Sequence, residues 1–140
     1  MAEYTKEQTS LAREVLKQNG LDRFLHLTEK FYDFAAYLLA ENKKHNLTAL
    51  REIDDVWVKH FADSLLFADM FEGERKTLID VGCGGGFPSI PLAIACKNLK
   101  ITAMDSTKKK TDFVLSAARE LKLENYSAMC ARAEEAGKNK

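Results

Sequence analysis

Cysteine and proline are scarce in this 140-residue chain, with three of the former and two of the latter. Cys83, Cys96 and Cys130 are an odd number and form no C-x-x-C pair, which argues against a disulfide framework or a zinc site; all three read as reduced, buried thiols. His26, His45 and His60 are scattered without ligand spacing, so no metal is expected. A serine hydrolase of the α/β type is disfavoured because no G-x-S-x-G elbow occurs. Excess charge is lacking too. With 21 basic and 21 acidic residues the formal net charge is zero, so any nucleic-acid role has to rest on local patches. No apolar run approaches the roughly 20 residues that cross a bilayer, and Met1-Ala2-Glu3-Tyr4-Thr5 lacks a secretory apolar core. No membrane partner is expected, and the cytoplasm is the expected compartment.

What is present suits one domain: 46% of residues are hydrophobic, enough for a core. Residues 1–75 read as a helical cap. Thr5-x-x-Gln8 fits a capping box, Leu11, Val15 and Leu16 follow at helical spacing, and Gly20 is placed as a stop. Leu27, Phe31, Phe34, Ala35, Leu38 and Leu39 mark a second helix ending near Lys43-Lys44-His45-Asn46. Asp54 could cap a third, along which Val56, Trp57, His60, Phe61, Ser64 and Leu65 recur. From 76 to 140 strand and helix alternate, the signature of a parallel sheet covered by helices and hence of an α/β Rossmann-like fold. Strands are expected over Thr77 to Val81, Lys100 to Met104 and Tyr126 to Cys130. One helix is expected with Pro88 and Pro91 in its first turn and Ile90, Leu92, Ala93 and Ile94 as its apolar content, and another over Lys108 to Leu121. Only three strands are visible, which would leave the first as a bare apolar edge; the expectation is that the natural protein is longer.

The densest signal is Thr77-Leu78-Ile79-Asp80-Val81-Gly82-Cys83-Gly84-Gly85-Gly86-Phe87, a β-prone run passing into spaced glycines and then a helix. Glycine tolerates positive φ and lets a ligand approach the main chain. A dinucleotide loop wants G-x-G-x-x-G, and its third glycine would fall where Phe87 stands. Gly82, Gly84 and Gly86 give instead the G-x-G-x-G spacing of S-adenosyl-L-methionine (AdoMet) sites, with a ligand-free turn as the bland alternative.

Asp105 ends the second strand, 23 positions after Gly82, where a carboxylate accepts from both ribose hydroxyls of a nucleotide. It could equally be a helix cap shared with Ser106, and both can hold together. Arg132-Ala133-Glu134-Glu135 follows the third strand, where an adenine would lie; a solvated charge cluster is the other reading. His60, Asp63 and Ser64 share one helix face by spacing, usually just a wet face. Lys43, Lys44, His45, Arg51 and Lys59 form one basic group and Lys108-Lys109-Lys110 another, suited to RNA phosphates or to ordinary surface charge.

Several segments together go further. Asn46-Leu47-Thr48-Ala49-Leu50-Arg51, Trp57 to Leu65 with its H-x-x-D-S, Asp80 to Ala93 with G-F-P-x-I-P-L, Asp105-Ser106 with Lys109-Lys110, and Arg132 to Glu135 resemble the bacterial small-subunit ribosomal RNA guanine-N7 methyltransferases, also called glucose-inhibited division protein B. The resemblance implies an AdoMet-dependent enzyme that methylates N7 of one guanine in 16S ribosomal RNA. By matching position, it implies that Gly82 and Phe87 line the AdoMet site, that Asp105 holds the ribose, and that Ala133 and Glu134 border the adenine. His60, Asp63 and Ser64 match a family motif packed near that pocket. Ser89 replaces the small glycine often seen there, and family members continue well past residue 140. Two rivals remain at this stage: a nicotinamide oxidoreductase, disfavoured by Phe87, and a non-catalytic nucleotide-binding or assembly module.

Overall fold

The computed structural model describes residues 6–45, 60–71 and 75–132, the side chains of residues 6–9 and 45 excepted. Thr5 and the Gln8 side chain of the expected capping box, the segment from Asn46 to Lys59 with Asp54, Val56 and Trp57, and residues from Ala133 onward lie outside the described residues.

Helix α1, Lys6–Gln18, ends as its glycine requires. Gly20 adopts φ +69, and its N–H reaches the Lys17 carbonyl while the N–H of Leu21 reaches that of Leu16, the paired bonds of a Schellman stop. A 3₁₀ turn over Asp22–Leu27 leads into α2, Thr28–His45. Ala62–Leu66 forms the short α3 and runs into a second 3₁₀ turn, Phe67–Phe71. An ion pair between Arg23 and Asp69 ties the two 3₁₀ turns together.

The parallel sheet follows as the alternation predicts: β1 Lys76–Val81, α4 Ser89–Ala95, β2 Leu99–Asp105, α5 Lys108–Glu120 and β3 Tyr126–Cys130. Strand order is β1-β2-β3, with Ile79 opposite Thr102, Ala103 opposite Ala128, and Asp105 opposite Cys130. Pro88 and Pro91 sit at the start of α4, where a missing N–H costs little. The Asn125 side-chain amide donates to the carbonyls of Ala93, Cys96 and Leu99, at 2.9 to 3.2 Å, and so pins α4 and β2 to the start of β3.

One core joins the amino-terminal helices to the sheet. Phe31, Phe34 and Leu38 of α2 pack with Phe61 and Leu65, with Ile90 and Leu92 of α4, with Leu99 and Ile101 of β2, and with Val114 and Ala117 of α5; all are essentially inaccessible to solvent. Each of the larger side chains among them contributes about 1.5–3 kcal/mol of burial. The opposite face of the sheet is different. Ile79 and Val81 are 56% and 60% exposed and Met129 is 45% exposed, although parallel sheets are normally covered on both faces. Cys83 and Cys96 are buried as expected, but Cys130 is exposed. The correction has a simple cause: β3 pairs only with β2 among the described strands, and Cys130 is its last residue, past the half-buried Tyr126 and Ala128 of the same face. No described helix is long and apolar enough to cross a membrane.

Candidate functional site

The loop after β1 is built by its glycines. Gly82, Gly84 and Gly86 have φ of +76, +50 and +94, a region where a β-carbon is strained. The main-chain N–H groups of Gly82 and Cys83 both donate to the Met104 carbonyl, at 2.7 and 3.1 Å, so the loop folds back over the end of β2. The glycines then divide in role. A β-carbon at Gly82 or Gly84 would meet nothing within 4 Å, whereas one at Gly86 would stand 2.8 Å from Ile90 Cγ1 and 3.3 Å from Phe34 Cζ. The first two face open space, and the third is a packing contact with α4 and α2.

Asp105 stands at the end of β2, 9% exposed. Its Oδ2 accepts the N–H of Gly84 at 3.3 Å and its Oδ1 the N–H of Thr107 at 2.9 Å. The loop and the start of α5 therefore hang on one carboxylate. A carboxylate has about four acceptor positions, so each oxygen keeps capacity for a further donor. Asp105 organises the turn ahead of α5 without being its cap, since the capping position is Thr107, and it lines a cleft of about 370 Å³ walled also by Gly82, Ser106, Ala131 and Arg132. Ala133 and Glu134, the expected adenine border, lie outside the described residues.

Phe87 lies behind the loop. Its ring stacks on His60, with centroids 4.7 Å apart, and meets Phe34 and Phe61 at 5.5 and 5.6 Å. His60 is thereby brought to the back of the glycine loop, in contact with the residue that closes the motif. Asp63 is exposed and Ser64 buried, so the H-x-x-D-S face is divided between solvent and core. Lys43 and Lys44 are exposed on the last turn of α2, with Lys44 paired to Glu41 at 3.6 Å. Tyr37 of α2 stacks on Phe113 of α5 at 5.7 Å, and a groove shared by Glu41, Lys108 and Lys109 sets the end of α2 beside the start of α5. Lys59 lies outside the described residues.

A polar chain beneath the loop went unread in the sequence. Ser89 Oγ, fully buried, lies 2.8 Å from Tyr126 Oη, and the Ser89 hydroxyl is near enough to the Asp80 carboxyl to favour its charged form. Asp80 Oδ2 is buried without a hydrogen-bond partner. Burial raises the Asp80 pKa; the Ser89 hydroxyl works against that shift, and the negative charge of Asp105 adds to it. Burial likewise raises the Tyr126 phenol, keeping its proton available to the chain. Burial, then Asp105 and Asp80, push the Cys83 thiol up to about 12, so it stays protonated and is a poor nucleophile. The available signal was Asp80 itself, a carboxylate inside an apolar β-run.

The sign of the Asp80 shift fixes a stability prediction. A raised folded-state pKa means that stability present below the ordinary carboxylate range is lost as pH rises through the folded value. Asp80→Asn removes that loss while keeping an acceptor for Ser89. The variant should exceed the native chain by a few tenths of a kcal/mol at pH 7.5, the site being partly exposed and screened, with the gap closing at about pH 3.5, below the ordinary carboxylate value. Urea unfolding at both values checks this, and an equal change at each would contradict it.

Among the described residues no group of three or more His, Cys, Asp or Glu is placed to hold a metal ion. The sequence profile of the family described as rRNA small subunit methyltransferase G matches residues 27–140. The chain belongs to that family. It is 44% identical over 137 residues to the ribosomal RNA small subunit methyltransferase G of Deinococcus radiodurans, covering 94% of this chain and 53% of that one. To the proteins of the same name from Lactobacillus johnsonii and Fusobacterium nucleatum it is 46% and 39% identical, covering 76% and 96% of this chain and 47% and 55% of theirs. The chain thus spans about half the length of the curated relatives it matches. As a member of rRNA small subunit methyltransferase G it carries the glycine loop, Asp105 and the H-x-x-D-S segment within the matched residues.

Proposed function

We propose that this chain forms the AdoMet-binding half of a methyltransferase acting on N7 of a guanine in 16S ribosomal RNA, as the free RNA or within the small ribosomal subunit. The observation that carries the cofactor reading is Asp105. It is tied through Gly84 N–H to a glycine loop whose Gly82 and Gly84 leave open space, and it keeps unused acceptor positions at the edge of a cleft. The same features fit an adenosine with an amino-acid tail: the ribose hydroxyls donate to Asp105, and the tail passes over the open glycines. No phosphate has to be cradled, and Phe87 occupies the place of a dinucleotide loop's third glycine.

In this reading Gly82 and Gly84 allow close main-chain approach, and Asp105 holds the ribose. Phe87 forms the wall, with Asp63 and Ser64 of α3 and His60, two residues ahead of α3, supporting it. Ala133 and Glu134 are the adenine border, and Lys43, Lys44 and Lys59 lend charge for RNA. AdoMet, when bound, supplies an electrophilic methyl group. Guanine N7 has an in-plane lone pair and no proton at neutral pH, so its attack on such a methyl group, with the bonding pair left on sulfur, would need no general base. What the chain contributes is alignment and exclusion of water, an effect worth up to roughly 7–11 kcal/mol when geometry is right.

Incubation of the chain with methyl-labelled AdoMet and small-subunit RNA tests this. Label at a base that becomes sensitive to borohydride reduction and aniline cleavage, the signature of N7-methylguanine, is the expected result. Label at an aniline-resistant position would contradict N7. Cofactor binding without transfer would favour the binding-module reading for this length of chain.

A further inference from the structure

The strand ends remote from the glycine loop carry a charge asymmetry that neither the motifs nor the cleft explains. Two grooves of about 270 and 400 Å³ adjoin there and share Lys97, Glu124 and Asn125. Lys30 and Lys122 join Lys97 in the first groove; Arg75, Lys76 and Lys100 join it in the second. Among the described lining residues six cations therefore face one carboxylate, Glu124. All but Lys30 are exposed. Lys76 Nζ donates to the Met70 carbonyl at 3.0 Å, which places its charge without neutralising it. The three bonds from Asn125 make the shared floor rigid.

Lys122 supplies an independent observation. It is the one non-glycine residue with positive φ among the described residues, at +55. Its N–H bonds the Arg119 carbonyl and that of Leu123 bonds the Ala118 carbonyl, the same stop that Gly20 makes after α1. Glycine is the default for that position. A lysine held there against backbone strain points to a use for its side chain.

We propose that this basic face binds RNA phosphates, gripping a stretch of backbone that flanks the one presented to the cleft. The inference rests on the reading of RNA as substrate. The six-residue β1 separates the two sites by about 20 Å at roughly 3.3 Å per residue, a span that a folded RNA bridges and a mononucleotide does not. Contacts of this kind position the RNA and carry no base information. Each one removed lowers the slope of log affinity against log salt by about 0.7–0.9.

The test is fluorescence anisotropy of the 140-residue chain with a labelled 16S ribosomal RNA transcript between about 50 and 200 mM salt. The native chain is compared with Lys97→Ala/Lys100→Ala, with Lys122→Gly, and with Arg13→Ala/Lys17→Ala, which removes two exposed cations from α1. The first double variant should lose about 1.5 from the slope and roughly tenfold in affinity at low salt, while the α1 variant changes affinity less than about twofold. Lys122→Gly should weaken RNA about threefold while raising Tm by about 3 °C, since it relieves backbone strain. A purely structural lysine would give the Tm change alone. No RNA binding by the native chain, or equal slopes in the two double variants, would overturn the proposal. A parallel titration with S-adenosylhomocysteine reads the cleft separately: its failure with the slope change intact counts against the proposed function and leaves the basic face standing.

Discussion

Asp105→Ala should weaken S-adenosylhomocysteine binding about 100-fold, equivalent to about 2.7 kcal/mol, the largest effect of any single change at the cleft. Two losses add. The ribose hydroxyls lose a charged acceptor, where such bonds are worth about 1.5–3 kcal/mol. The N–H groups of Gly84 and Thr107 lose the carboxylate that holds them, so the loop must be reordered each time a ligand binds. Asp105→Asn separates the two. Its amide keeps one acceptor oxygen but turns a donor toward the second N–H, so a loss of about tenfold is expected. Calorimetry measures both, and a native-like affinity for Asp105→Ala would remove this residue from the site.

Gly86→Ala should destabilise the fold by about 4 kcal/mol, while Gly82→Ala should cost about 1 kcal/mol and act on the ligand instead. At Gly86 the added carbon would overlap Ile90 and crowd Phe34, both fully buried and unable to move away, at a φ of +94 that side chains avoid. Strain and overpacking add, and against a total stability of roughly 5–15 kcal/mol the loss is large. A fall in Tm of more than about 10 °C is expected. At Gly82 the carbon meets nothing within 4 Å, but it projects from a residue that walls the cleft. That variant should fold and bind S-adenosylhomocysteine at least tenfold more weakly. Thermal unfolding and titration of both proteins check the pair; equal stability would dissolve the distinction between packing and binding glycines.

Much of this arrangement was legible in the sequence because each element follows from local chemistry. The G-x-G-x-G run after an apolar strand, the acid ending the second strand and the stop at Gly20 depend on residues close together in the chain. Their positions came out within a residue or two. The division among the three glycines was not legible, because it depends on Phe34, some fifty residues earlier in the chain. The stack of His60 on Phe87 and the chain Asp80, Ser89 and Tyr126 are also contacts made only by folding. Cys130 was misread as buried because residue type predicts burial on average, whereas exposure on an outer strand is set by neighbours. Lys122 carried no sequence signal at all, since a lysine at a helix end is ordinary until its φ is known.

The measurement that bears most directly on this account is titration of the 140-residue chain with S-adenosylhomocysteine, with NAD as comparator. Saturable binding of S-adenosylhomocysteine that Asp105→Ala weakens about 100-fold, with no binding of NAD, is the expected result. Preference for NAD, or S-adenosylhomocysteine binding that survives Asp105→Ala unchanged, would contradict it.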